Sequence, residues 1–175
     1  YSRLREGSGG AGWHRGGDGT SYRFEATADL VLTILGDRAD HAPFGIEGGR
    51  PAAPNRVELE TGGREWTPPM RTKLSHGRLA PGDKVAVSSP GGGGYGDPLA
   101  RELELVERDL NYGYIGEEEA ERVYGVVVAE RVEVAGRARY RVDVGASRDL
   151  RRRLGAGPPP SAQVVEREAP PLQRV

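Results

Sequence analysis

The chain has 175 residues, 25 Lys and Arg against 26 Asp and Glu, and a formal net charge of −1, so it offers no electrostatic case for binding nucleic acid or an anionic membrane. It has no cysteine, which excludes disulfides and thiolate metal sites, and no apolar run nears the ~18 residues of a spanning helix or a signal region. Only 36% of residues are hydrophobic while 27 are glycine and 13 proline, with mean hydropathy −0.60; a loop-rich, mixed domain in the cytoplasm is the expectation.

Residues 8–19 form a first glycine-rich loop, Ser8-Gly9-Gly10-Ala11-Gly12-Trp13-His14-Arg15-Gly16-Gly17-Asp18-Gly19. Residues 21–26 then alternate, with Tyr22, Phe24 and Ala26 on one strand face. The uninterrupted, branched run Leu30–Leu35 predicts a buried strand. Residues 36–54 are a long irregular connection that carries Phe44-Gly45-Ile46-Glu47-Gly48-Gly49-Arg50-Pro51; structured loops of that length are often functional. Residues 57–60 followed by Gly62-Gly63 read as half a hairpin. Pro81-Gly82-Asp83 is a turn into a strand at 84–89 that points Val85 and Val87 inward.

The next segment, Pro90-Gly91-Gly92-Gly93-Gly94-Tyr95-Gly96-Asp97-Pro98, is the most glycine-dense of all. Asp97 suits an N-cap and Pro98 the first helical position. Leu99, Leu103, Val106 and Leu110 then share one helical face, up to Asn111-Tyr112-Gly113. A second helix at 117–124 opens on three glutamates, favourable at an N-terminus, and stops at Gly125. Val126-Val127-Val128 predicts a strand, 131–134 and 139–142 a hairpin around Gly136, and 146–154 a basic helix. Strands before helices indicate an α+β class: a β-rich mixed domain with glycine-rich loops and short C-terminal helices. Its expected extent is 1–154, with a proline-rich, disordered tail at 155–175.

Three readings stay open for Gly91, Gly92, Gly93 and Gly94. The stretch 91–96 satisfies G-x-G-x-x-G between a strand and a helix, as a dinucleotide loop does. Residues 7–12 satisfy it too, however, and no Lys-Ser/Thr follows to make a Walker loop. The others are a tight loop packed on neighbouring backbone, or one lining a substrate or subunit surface. Arg15 and Asp18 either hold a guanidinium ready for a carboxylate or phosphate or pin their own loop by an internal contact. Asp37-Arg38-Ala39-Asp40-His41 places carboxylates near an imidazole, as a metal site or as a solvated loop. The histidines, His14, His41 and His76, are scattered, no Gly-x-Ser-x-Gly nucleophile elbow occurs, and Arg148, Arg151, Arg152 and Arg153 read as a solvated helix face. No complete catalytic constellation emerges, and no metal ligand is assigned.

Taken in order, these segments resemble the C-terminal part of the hydantoinase B/oxoprolinase family. The match runs through Ser8 to Gly19, Gly36-Asp37-Arg38, Gly48 to Pro54, Pro81-Gly82-Asp83, the 90–98 loop and the closing stretch from Asn111 to Val127. It departs at Met70-Arg71-Thr72-Lys73, where the family more often has a Ser-Lys pair. The resemblance implies one of two subunits of an ATP-dependent, hetero-oligomeric enzyme that opens cyclic amides such as hydantoins and 5-oxoproline. In such enzymes a hydantoinase A-type partner uses ATP to phosphorylate the substrate oxygen, which makes a poor electrophile reactive toward water. The B-type subunit then carries out hydrolysis with His and Asp ligands to a divalent metal, upstream of the part matched here. The chain opens at Tyr1, without methionine, just before a motif that the family carries far into its polypeptide, so the tail of a large subunit is the expectation. The resemblance thus implies no cofactor within this chain, with Arg15, Asp18, Asp37, Arg38 and the glycines 91–94 lining substrate or partner. The alternative is a non-catalytic accessory or scaffold subunit of a related carboxylase complex.

Overall fold

The computed structural model describes residues 1–156. Seven strands come first: β1 (Ser2–Leu4), β2 (Thr20–Glu25), β3 (Leu30–Leu35), β4 (Arg56–Thr61), β5 (Arg64–Trp66), β6 (Lys73–Leu79) and β7 (Lys84–Ser88). After a 3-10 turn at Pro98–Ala100 come α1 (Leu103–Tyr112), α2 (Glu117–Tyr124), β8 (Val127–Val134), β9 (Arg137–Asp143) and α3 (Val144–Leu154). The expected α+β class holds.

β1, β2, β7, β4 and β5 form one antiparallel sheet in that order. Its register sets Tyr22 and Val57 opposite Val87, and Phe24 and Leu59 opposite Val85. Facing residues across a ladder share a sheet face, so these apolar positions point the same way. A two-stranded ribbon, β3–β6, packs on that face through Leu32, Ile34 and Leu74, and Val57, Leu59 and Val85 are buried beneath it. Asp83 fastens the turn into β7: its carboxylate accepts from Ala80 N and Gly62 N, each at 2.9 Å, and these bonds hold its pKa below the usual range. That contribution to stability is present at neutral pH and is lost as acid protonates the folded carboxyl.

A second core joins α1, α2 and the β8–β9 hairpin through Leu103, Val106, Leu110, Ile115, Tyr124, Val126 and Val142. Ala11, from the first glycine loop, belongs to this core. The glycine-rich segments therefore lie where the sheet body meets the helical body.

Three expectations need correction. Leu30–Leu35 is a strand, but only Leu32 and Ile34 turn inward; Val31 is 62% and Leu35 84% exposed. The single helix expected from Pro98 is broken, because Arg101 takes extended angles and the chain restarts as α1 at Leu103. Asp97 does cap the 3-10 turn, accepting from Leu99 N at 2.9 Å. Residues 126–128 and 131–134, read as separate strands, are almost wholly one strand, β8. The Pro-rich tail at 155–175 falls largely at 157–175, outside the described residues.

Candidate functional site

Three glycine segments, around 8–17, 44–50 and 91–96, lie side by side and exchange backbone hydrogen bonds. Gly10 N donates to Gly92 O at 2.8 Å, Arg50 N to Ala11 O at 2.7 Å, and Ile46 N to Gly94 O at 2.9 Å. In return Gly92 N donates to Gly17 O, Gly94 N to Arg50 O, Tyr95 N to His14 O and Gly96 N to Ile46 O. The segments approach so closely that a Cβ on Gly10, Gly16, Gly49, Gly91, Gly93 or Gly94 would meet a facing backbone atom well inside 3.0 Å. Glycine is required here for close approach of main chains rather than for turn angles. Of the three readings of the 91–94 loop, packing on neighbouring backbone matches the contacts it makes. The N–H groups of Gly92, Gly94, Tyr95 and Gly96 are committed to this web, so they do not cradle a phosphate in the dinucleotide manner. Gly91 and Gly94 are buried, Gly93 is half-buried, and Gly92 is exposed at the rim.

Arg15 and Asp18 meet inside the web. They form an ion pair with side chains 7% and 2% exposed. Asp18 Oδ1 also accepts from Gly9 N at 2.8 Å, while Arg15 donates to Gly16 O and to Tyr114 O at 3.1 and 3.0 Å. The Arg15 guanidinium lies 5.7 Å from the Tyr114 ring centroid. The pair thus pins its own loop and fastens it to the link between α1 and α2. A second buried pair, which the sequence did not announce, does the same on the other side. Arg101 reaches Asp109 at 2.7 Å and donates to Trp13 O at 2.8 Å, its side chain and that of Asp109 being 6% and 2% exposed. Arg101 leaves the helical path to make these bonds, which accounts for the break before α1. One signal was available: Asp109 sits three residues after Val106 and beside Leu110, on the stripe that turns inward.

Glu119 and Tyr124, both on α2, face this seam. Burial pushes the Glu119 carboxyl above the ordinary glutamate range, with Arg15 opposing the shift and Asp18 and Glu6 adding to it. Glu119 therefore favours folding below the ordinary glutamate pKa, and that contribution is lost as pH rises through the raised value. Glu119→Gln is expected to raise the melting temperature at neutral pH and to lose that advantage in acid; thermal melts from pH 4 to 8 check it. Burial, with Glu119 nearby, pushes the Tyr124 phenol up to about 12. Its hydroxyl is buried and has no hydrogen-bond partner among the described residues. Tyr124→Phe is expected to change stability by less than ~1 kcal/mol or to raise it, since an orphaned polar group is removed; urea unfolding reads this directly.

Asp37 and Arg38 lie elsewhere, in an open groove of about 680 Å³ between residues 36–41 and 69–73. Asp37 pairs with Lys73 at 2.9 Å and Asp40 with Arg71 at 3.4 Å, while Thr72 Oγ1 donates to Gly36 O. Both Arg38 and Arg71 adopt the left-handed backbone region, φ 66° and 57°, unusual for side-chain-bearing residues. The structure thus separates the proposed lining residues into a buried web and a charged groove. Among the described residues no three His, Asp or Glu side chains gather as a metal site, and the Asp37 and Asp40 carboxylates are engaged by cations. No described helix is long and apolar enough to cross a membrane.

The Hydantoinase B/oxoprolinase family model matches residues 2–98. An uncharacterized protein of Methanocaldococcus jannaschii is 34% identical over 128 residues, covering 73% of this chain and 22% of its own length. Caprolactamase subunit beta of Pseudomonas jessenii is 33% identical over 134 residues, again covering 73% and 22%. The crystal structure of an ATP-dependent caprolactamase from Pseudomonas jessenii superposes with a TM-score of 0.63 at 28% identity, over 87% of this chain and 25% of the other. The chain spans about a quarter of the length of these relatives. On this matched extent, which takes in the three glycine segments of the web, the chain belongs to the hydantoinase B/oxoprolinase family.

Proposed function

We propose that this chain is the C-terminal portion of a B-type subunit of an ATP-dependent enzyme that hydrolyses cyclic amides. The observation that carries the reading is the glycine web, because the family's motifs are the same segments that interlock in three dimensions. A web whose hydrogen bonds are satisfied internally is a scaffold, so the web holds the sheet body against the helices. In this reading Asp37 and Arg38 line substrate or partner, and a hydantoinase A-type subunit handles ATP. The divalent metal and its His and Asp ligands belong to the part of the subunit upstream of the matched residues.

The test is activity of the complete subunit with its A-type partner on hydantoin, 5-oxoproline and caprolactam. ADP and ring-opened product are expected to form together, with none from the 175-residue chain alone. Asp37→Asn or Arg38→Ala in the complete enzyme is expected to lower kcat/KM by ~10-fold or more, the equivalent of one charge-assisted hydrogen bond. Ring opening without ATP, or by the chain alone, contradicts the reading.

A further inference from the structure

The sheet sandwich is unequal: five strands on one side and two on the other. The inner face of the larger sheet continues past the ribbon, where Leu4, Tyr22 and Phe24 remain 45%, 41% and 39% exposed. The ribbon has bare positions of its own. Leu30–Leu35 carries apolar residues on both faces, interrupted at Thr33, close to the pattern of a strand covered on both sides, yet Val31 and Leu35 face outward. Met70, beside the start of β6, is 69% exposed. The edge of β3 away from β6 has no strand partner among the described residues. A long, apolar, unpaired edge is a template for another strand and a liability when left open.

We propose that the outer face and free edge of β3 are a docking seat, filled by polypeptide of the same B-type subunit that lies outside this chain. This rests on the reading of the chain as part of a longer subunit. What points to that occupant is length: the relatives carry about three quarters of their chains beyond the matched part. Val31, Leu35 and Met70 make the seat apolar along β3, with Arg78 opposite Val31 and Lys73 opposite Leu35 at its rim, whereas the opposite face of the large sheet carries Arg23, Glu58, Glu60 and Lys84.

The chain has no cysteine, so a single introduced thiol reports on this surface without background. Leu35→Cys and Val31→Cys are made in the 175-residue chain and in the full polypeptide encoded by the gene. Each is labelled with a maleimide, and the rate is normalised to that of the urea-denatured protein. Labelling is expected to be fast in the 175-residue chain and ~10-fold or more slower in the full polypeptide, where reaction awaits local opening. Equal rates overturn the proposal, as does a gene that encodes no more than these residues. Protection that appears in the 175-residue chain alone and grows with concentration overturns it in favour of a second copy. A full subunit that hydrolyses cyclic amides yet labels freely sinks the seat and leaves the proposed function standing. A protected thiol in a subunit without that activity does the reverse.

Discussion

Gly94→Ala is expected to destabilise the fold by ~3 kcal/mol or more, enough to leave much of the protein unfolded, because overpacking against rigid main chain cannot be relieved by rotamer changes. The added methyl would overlap the carbonyl of Ala11, and that carbonyl accepts from Arg50 N. Yielding would therefore break contacts in two other segments at once. Gly17→Ala is the matched control: a Cβ there meets nothing within 4 Å, and the expected change is within ~0.5 kcal/mol. Urea unfolding of the two variants reads the contrast. Similar stabilities would mean that the segments do not interlock as described.

The second large effect belongs to the Arg101–Asp109 pair. Asp109→Asn leaves a guanidinium that is 6% exposed without its ion-pair partner, Asp109 being the carboxylate that reaches Arg101 within 4 Å among the described residues. Removing one partner of a buried pair costs ~3–5 kcal/mol. The double variant Arg101→Met with Asp109→Leu is expected to lose less than Asp109→Asn alone, because no buried charge then goes unpaired. Denaturant midpoints of the single and double variants provide the check. A double variant as unstable as the sum of its parts would place the importance of Arg101 in its bond to Trp13 rather than in the pair.

These expectations separate what the sequence disclosed from what it did not. Local signals were sufficient for most elements. Alternation at Val85 and Val87, Gly62-Gly63 after β4, and glutamates opening α2 before Gly125 each carry their own physical cause within a few residues. The ribbon was harder. β6 contains His76 at φ 55° and pairs with β3 across a register shift, so no regular alternation marks it. β1 has only three residues and is defined by its partner β2. β3 departs from the buried strand its composition predicts for a related reason: Val31 and Leu35 turn outward, and composition alone does not say which face of a strand is covered.

At the candidate site the motifs were legible, but their geometry was not. Arg15 and Asp18 are three residues apart, and their internal contact was one of two readings. That Arg15 also reaches Tyr114, across 99 residues of sequence, follows only from the packing of α1 and α2 against the web. Motif position groups Asp37 and Arg38 with the glycines, yet they lie in a separate groove with Arg71 and Lys73. Glycine content announced close approach, and the identity of the approaching chains came from three-dimensional pairing.

The most direct test of the account is the size and company of the native polypeptide, isolated from its source with an antibody against the exposed hairpin at residues 129–137. A chain about four times the length of this one, with a second, ATP-hydrolysing subunit bound, is the predicted result, because relatives match over about a quarter of their length. A native species of 18.8 kDa, alone and without such a partner, would contradict it.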